Sequence, residues 1–268
     1  MPDERPAKAW HVFATYGAAV AASTATTILG IVFLRATDPD APYTTLMQGL
    51  PALLVGSLAA SSGLLLALLL FVRPLDATRF RLRPGWETGP ALAVMTLGVL
   101  VLSQTLDSVA RLLGLADQGS LVLFRQALER ARGPDLFAAV LVLGFGAGIA
   151  EEVFFRGYMQ SRLREHWPVP VAVLATSLAF AVLHLSVVHA VLALALGLYL
   201  GFVAEVSGST LPSIVCHVVN NVVFTLQTAA GFAVLDRDAN LIAAAVGPVL
   251  VVLCVFWLRR ATPGSPSG

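Results

Sequence analysis

Apolar runs of about 20 residues recur along almost the whole chain, separated by short polar or basic stretches. A helix needs about that length to cross the hydrocarbon core of a bilayer. Only helices and closed barrels leave no backbone group unsatisfied there, and the period-two alternation that marks barrel strands is missing. Eight stretches qualify as spans: 10–34, 50–72, 89–106, 136–163, 168–187, 189–206, 210–230 and 239–258. The expected fold class is all-α, a polytopic membrane bundle of about eight transmembrane helices. A single transmembrane domain would fill 10–260, with 1–9 as a cytoplasmic N-terminus and 261–268 as a disordered tail.

Composition supports this frame and excludes others. Hydrophobic residues make up 57% of the 268 and charged ones 12%, against about 25% charged in soluble domains. A net charge of +1, with no basic run, offers nothing to nucleic acid. Cys216 and Cys254 lie in apolar segments and read as small buried hydrophobes. The mixed charges of Asp3, Glu4, Arg5 and Lys8 do not make the n-region of a secretory signal, so the first span reads as a retained helix. Between spans three and four, Arg111–Arg132 alternates apolar and basic residues, the pattern of a helix lying on the membrane surface.

Basic residues orient the bundle. With the N-terminus inside, the inner set is Arg5, Lys8, Arg73, Arg79, Arg81, Arg83, Arg156, Arg162, Arg164, Arg259 and Arg260, eleven in all. The outer set is Arg35, Arg111, Arg125, Arg130, Arg132 and Arg237, six in all. Both termini are therefore expected in the cytoplasm of a multi-pass cell-membrane protein. Gly144-x-x-x-Gly148 and Gly197-x-x-x-Gly201 have the spacing that lets membrane helices approach closely.

The polar groups inside the spans carry the functional reading. Glu151 and Glu152 are adjacent acids in the fourth span, after the uncharged stretch Phe137–Ala150. A carboxylate at such depth costs roughly 2.5–3.5 kcal/mol on insertion scales, so such residues are functional candidates. Arg156 follows Glu152 by four positions, the helical spacing of an ion pair. Glu151 points about 100° away on a helix, which assigns Glu152 to Arg156 and leaves Glu151 facing a cavity as a candidate general base.

Phe180 and His184 share one face of the fifth span, and a turn at Trp167–Pro170 would fold that span back on the fourth. Glu151 and His184 then sit at nearly equal depth. His217 and Asn221 are four apart in the seventh span, where an imidazole can shuttle a proton and an amide can donate to an oxyanion. Counting rises along straight helices leaves His217 about 10 Å from the level of Glu151, a gap that Gly208 and Pro212 could close by breaking a helix. His189 and Glu205 fall near span ends and read as interfacial.

No His-Glu-x-x-His, Gly-x-Gly-Asp, Gly-x-Ser-Gly or phosphate-loop pattern occurs. Glu151-Glu152-x-x-x-Arg156, Phe180-x-x-x-His184 and His217-x-x-x-Asn221, in this order, resemble the motifs of the CPBP family of intramembrane proteases, which includes CAAX prenyl endopeptidases and bacteriocin-processing or immunity proteins. The resemblance covers about 148–221, within a catalytic core of about 136–230.

It implies an intramembrane glutamate endopeptidase acting on a membrane-anchored or lipidated peptide or protein in the bilayer. Glu151 would activate a water that His184 orients. His217 and Asn221 would stabilise the oxyanion, and Glu152 with Arg156 would hold the site together. No cofactor is needed for this set. A zinc-dependent version would use Glu151, His184 and His217 as ligands, with water in the fourth position. A non-catalytic immunity or scaffold protein, or an ion-coupled transporter, are the alternatives of other classes.

Overall fold

The computed structural model describes residues 8–116, 118–184, 186–232 and 235–263, and among these every regular element is a helix. The elements are α1 (Ala9–Thr37), α2 (Tyr43–Gln48), α3 (Leu50–Phe71), α4 (Gly89–Leu112) and α5 (Ser120–Glu129), then α6 (Gly133–Leu163), α7 (Val169–Val182), α8 (Val187–Ser207), α9 (Leu211–Ala230) and α10 (Arg237–Ala261). Most of the expected tail, 264–268, lies outside the described residues, as does Arg5.

Seven of these helices are long and apolar enough to cross a membrane. The fifth expected span is the exception: α7 has 14 residues and stops at Val182 instead of 187. At 1.5 Å per residue it rises about 21 Å, short of the roughly 30 Å hydrocarbon core. Leu183 and His184 close its end by donating back to the carbonyls of Phe180 and Ala181. The expected surface segment 111–132 resolves into the last turn of α4, a short connection and α5.

Inside the bundle, α6, α8 and α9 pack together; α1 and α3 cover α6 on one side, and α4 with α10 covers α8 and α9 on the other. One buried cluster joins Val12, Leu64, Leu68, Phe154, Phe155, Met159, Leu163 and Phe180, and a second joins Met95, Val99, Tyr199, Leu200, Cys216 and Leu258. Outward positions remain apolar: Leu29, Phe33, Val252 and Phe256 are exposed. So large an apolar exterior suits lipid, as a multi-pass membrane protein requires.

The two ends of the bundle differ. At the clamp face, the loop from Arg73 to Thr88 folds over the end of α8. Arg81 Nη1 donates to Glu205 Oε1 at 2.8 Å, Nη2 to the Ala204 carbonyl and Nε to that of Gly208, while Trp86 Nε1 reaches the carbonyl of Val206. Helix ends leave their last carbonyls unpaired, and the loop supplies these donors. In return Thr210 bonds the carbonyls of Phe80 and Arg81. Glu205 is not a free interfacial acid: it also accepts from Gln160 at 2.9 Å and pairs with Arg164 at 3.1 Å, because α6 and α8 lie side by side here.

Phe13 of α1 meets Trp167 at this face, and Arg259 of α10 lies over Phe202. The first turn of α1 and the last turn of α10 therefore emerge on the same side. The opposite end, with α5 and the α9–α10 connection, is the cavity face.

Candidate active site

Helix α6 carries the acids in a short α-helical stretch, Gly148–Glu152, set between π-helical stretches Val140–Ala147 and Val153–Gln160. Such widened turns are rare and concentrate at functional sites. Its glycines matter by what they lack. A Cβ on Gly144 would lie 2.6 Å from Val222 Cγ2, and one on Gly148 3.2 Å from the Val218 backbone nitrogen. Bare backbone thus lets α9 lie directly on α6, and His217 arrives over the acids.

His217 is not about 10 Å away as straight helices predict. Its Nε2 is 3.6 Å from Glu151 Oε2, and its Nδ1 is 2.9 Å from Glu152 Oε1. The straight-helix count fails because Gly208 takes the left-handed conformation (φ 73°) and closes α8, and α9 restarts at Leu211 with Pro212 in its first turn.

Glu152 and Arg156 are fully buried and bonded, Arg156 Nη1 to Glu152 Oε1 at 2.6 Å. Arg156 Nη2 donates to the carbonyl of Gly197 at 2.9 Å, and the guanidinium lies 5.0 Å from the Phe180 ring centre. Gln160, one turn on, repeats the arrangement with the carbonyl of Gly201 at 3.0 Å. The Gly-x-x-x-Gly spacing of α8 so exposes two carbonyls to two polar side chains of α6.

One oxygen of Glu152 accepts from both Arg156 and His217. A carboxylate paired with a guanidinium can only accept, so His217 carries its hydrogen on Nδ1. Its Nε2 is then the position that exchanges a proton, and it faces Glu151. At 3.6 Å that contact is too long for a direct hydrogen bond and leaves both atoms open to a third group.

Glu151 lines a cavity of about 760 Å³ together with His184, His217 and Asn221. Its side chain is 22% exposed, against none for Glu152. His184 lies just past the end of α7; its Nδ1 donates to the Phe180 carbonyl at 3.0 Å, which leaves Nε2 of the neutral ring as an acceptor. Phe180 stands between the histidines, its ring centre 4.8 Å from that of His184 and 6.0 Å from that of His217. Asn221 Nδ2 donates to the Leu143 carbonyl at 3.1 Å, spending one of two amide hydrogens on α6.

His189 is the residue that sequence reasoning misplaced. It lines the same cavity, its ring 4.4 Å from that of His184, and its Nδ1 is 3.1 Å from the Ser120 hydroxyl of α5. The early end of α7 folds the chain so that this first turn of α8 comes back over His184. No local pattern in the sequence signals it.

Glu151, His184 and His217 share the cavity, yet among the described residues no three His, Cys, Asp or Glu side chains gather as a set able to hold a metal ion. The ring hydrogens of His184 and His217 are held on Nδ1 by the Phe180 carbonyl and Glu152, which leaves both Nε2 atoms as acceptors.

Residues 133–223 match the family described as type II CAAX prenyl endopeptidase Rce1-like. The matched segment runs from the start of α6 into α9 and contains Glu151, Glu152, Arg156, His184, His217 and Asn221. The match is consistent with a CPBP-family protease and supports a CAAX-type intramembrane endopeptidase with a substrate in the bilayer. No curated protein and no solved structure matches the chain.

Proposed function

We propose that the chain hydrolyses a peptide bond in a membrane-anchored or lipidated substrate, using a water activated by Glu151 and no metal. What carries this reading is the division of labour between neighbouring acids: Glu152 is buried and bonded through one oxygen to Arg156 and His217, while Glu151 opens onto the cavity with His217 Nε2 beside it.

In this mechanism Glu151 removes a proton from a water whose second hydrogen is accepted by His184 Nε2. The water oxygen bonds to the scissile carbonyl carbon. His217 takes part as an imidazolium, its Nδ1–H on Glu152 and its second hydrogen on Nε2, and the oxyanion so formed takes hydrogen bonds from that Nε2–H and from the remaining amide hydrogen of Asn221. Collapse of the tetrahedral intermediate breaks the C–N bond, and Glu151 returns its proton to the departing amine. Phe180 and the apolar cavity wall keep bulk water from competing.

The test is Glu151→Gln, purified and assayed on an internally quenched peptide with a lipidated C-terminal segment. General-base loss lowers turnover by about 10²–10⁴-fold, with an unchanged melting temperature. Equal cleavage by both proteins rejects the mechanism. No cleavage by wild type, together with an intact cellular phenotype in the Glu151→Gln strain, favours the non-catalytic scaffold.

A further inference from the structure

The cavity occupies one half of the bundle, the half remote from the clamp face. From α3 it takes residues between Ala52 and Leu64, from α4 those between Val99 and Asp107, and from α9 those between His217 and Thr225. Each set belongs to the part of its helix remote from the clamp face. At the mouth lie Ser120, Leu121, Phe124 and Arg125 of α5. Below Glu151, toward the clamp face, the path is filled by the buried Glu152–Arg156 pair, by Phe154, Phe155 and Tyr158, and by the Gln160–Glu205–Arg81 network.

The basic residues divide the other way. Leaving out Arg156, buried in the site, and Arg5, outside the described residues, the remaining nine of the inner set lie at the clamp face. All six of the outer set lie at the cavity face. The loop between α3 and α4 alone carries Arg73, Arg79, Arg81 and Arg83, whereas the connection between α1 and α3 follows a single arginine, Arg35. Short loops rich in arginine and lysine stay in the cytoplasm.

Together these geometries point in one direction. We infer that the cavity opens on the side of the membrane opposite the cytoplasm, and that its substrate is a membrane-anchored segment presented on that outer side rather than a lipidated cytoplasmic tail. The topology stands on charge and cavity shape alone; the word substrate rests on the protease reading above.

Two variants, each with one added cysteine, test the topology. In intact cells a membrane-impermeant maleimide should label Leu121→Cys at the cavity mouth and spare Arg83→Cys in the clamp loop until the cells are permeabilised. Native Cys216 and Cys254 are buried. A fluorescent protein that matures only in the cytoplasm, fused after Gly268, should glow. Labelling of Arg83→Cys in intact cells, or a dark fusion, overturns the inference.

For the substrate, membrane proteins accumulating uncut in Glu151→Gln cells should carry the affected segment on the outer side. Accumulation of cytoplasmic tails overturns that half while leaving the topology standing. If nothing accumulates, the protease reading fails, and the labelling result is unaffected.

Discussion

Glu152 holds the site together through a single oxygen. Breaking a buried ion pair strands the surviving charge and costs about 3–5 kcal/mol, whereas replacing both members with neutral groups is often far milder. Arg156→Met should therefore lower stability in a detergent melt by about that amount, and the double variant Glu152→Gln, Arg156→Met should recover much of the loss. Cleavage should stay lost in the double variant, because His217 no longer has a carboxylate to fix its hydrogen on Nδ1. A double variant as unstable as the single would contradict this. Glu152 and Arg156 were legible in the sequence because four residues make one helical turn. The bond from Glu152 to His217 spans 65 residues, and no local spacing announces it.

At the scale of helices, the position of His217 depends on how closely α9 lies against α6. Gly148 is the closest point near the acids, and larger side chains at packed contacts cost about 1–3 kcal/mol. Gly148→Val should push α9 outward and abolish cleavage while the protein still folds. Gly146→Ala is the control, since a Cβ there meets only the Leu141 carbonyl, at 3.4 Å. Equal activity in the two variants would show that this contact does not set the site. Long apolar helices were readable from hydropathy because the bilayer imposes their length. The end of α7 was not: the sequence at 182–186 has no glycine or proline to mark it, and Ser186 packs closely on the chain before α5, its hydroxyl 2.5 Å from where a Cβ on Gly119 would stand. His189 was missed for the same reason.

The whole molecule sets a cavity bordered by Glu151, His184, His217 and Asn221 inside an apolar bundle. The turn after α7 lies about 21 Å above the start of that helix, well within the bilayer, yet Leu183 and His184 border the cavity. In lipid nanodiscs the amides of Leu183, His184 and Ser186 should exchange with deuterium far faster than those at similar depth in α3 or α10. Equally slow exchange would mean that the cavity is dry. Fold class, an even return of both end helices to one face, and the motif residues could all be drawn from the sequence. Which face the cavity opens toward could not, since it depends on which half of each helix is left unfilled.

The Arg81 clamp has a bearing on biogenesis. Arg81 and its partner Ala204 are 123 residues apart, so the loop is translated and waits with its guanidinium unpaired until α8 has been inserted. The register of α9, and with it the meeting of His217 and Glu151, is settled only then. On the protease reading, a half-made chain would therefore be silent until α8 and α9 are both in place.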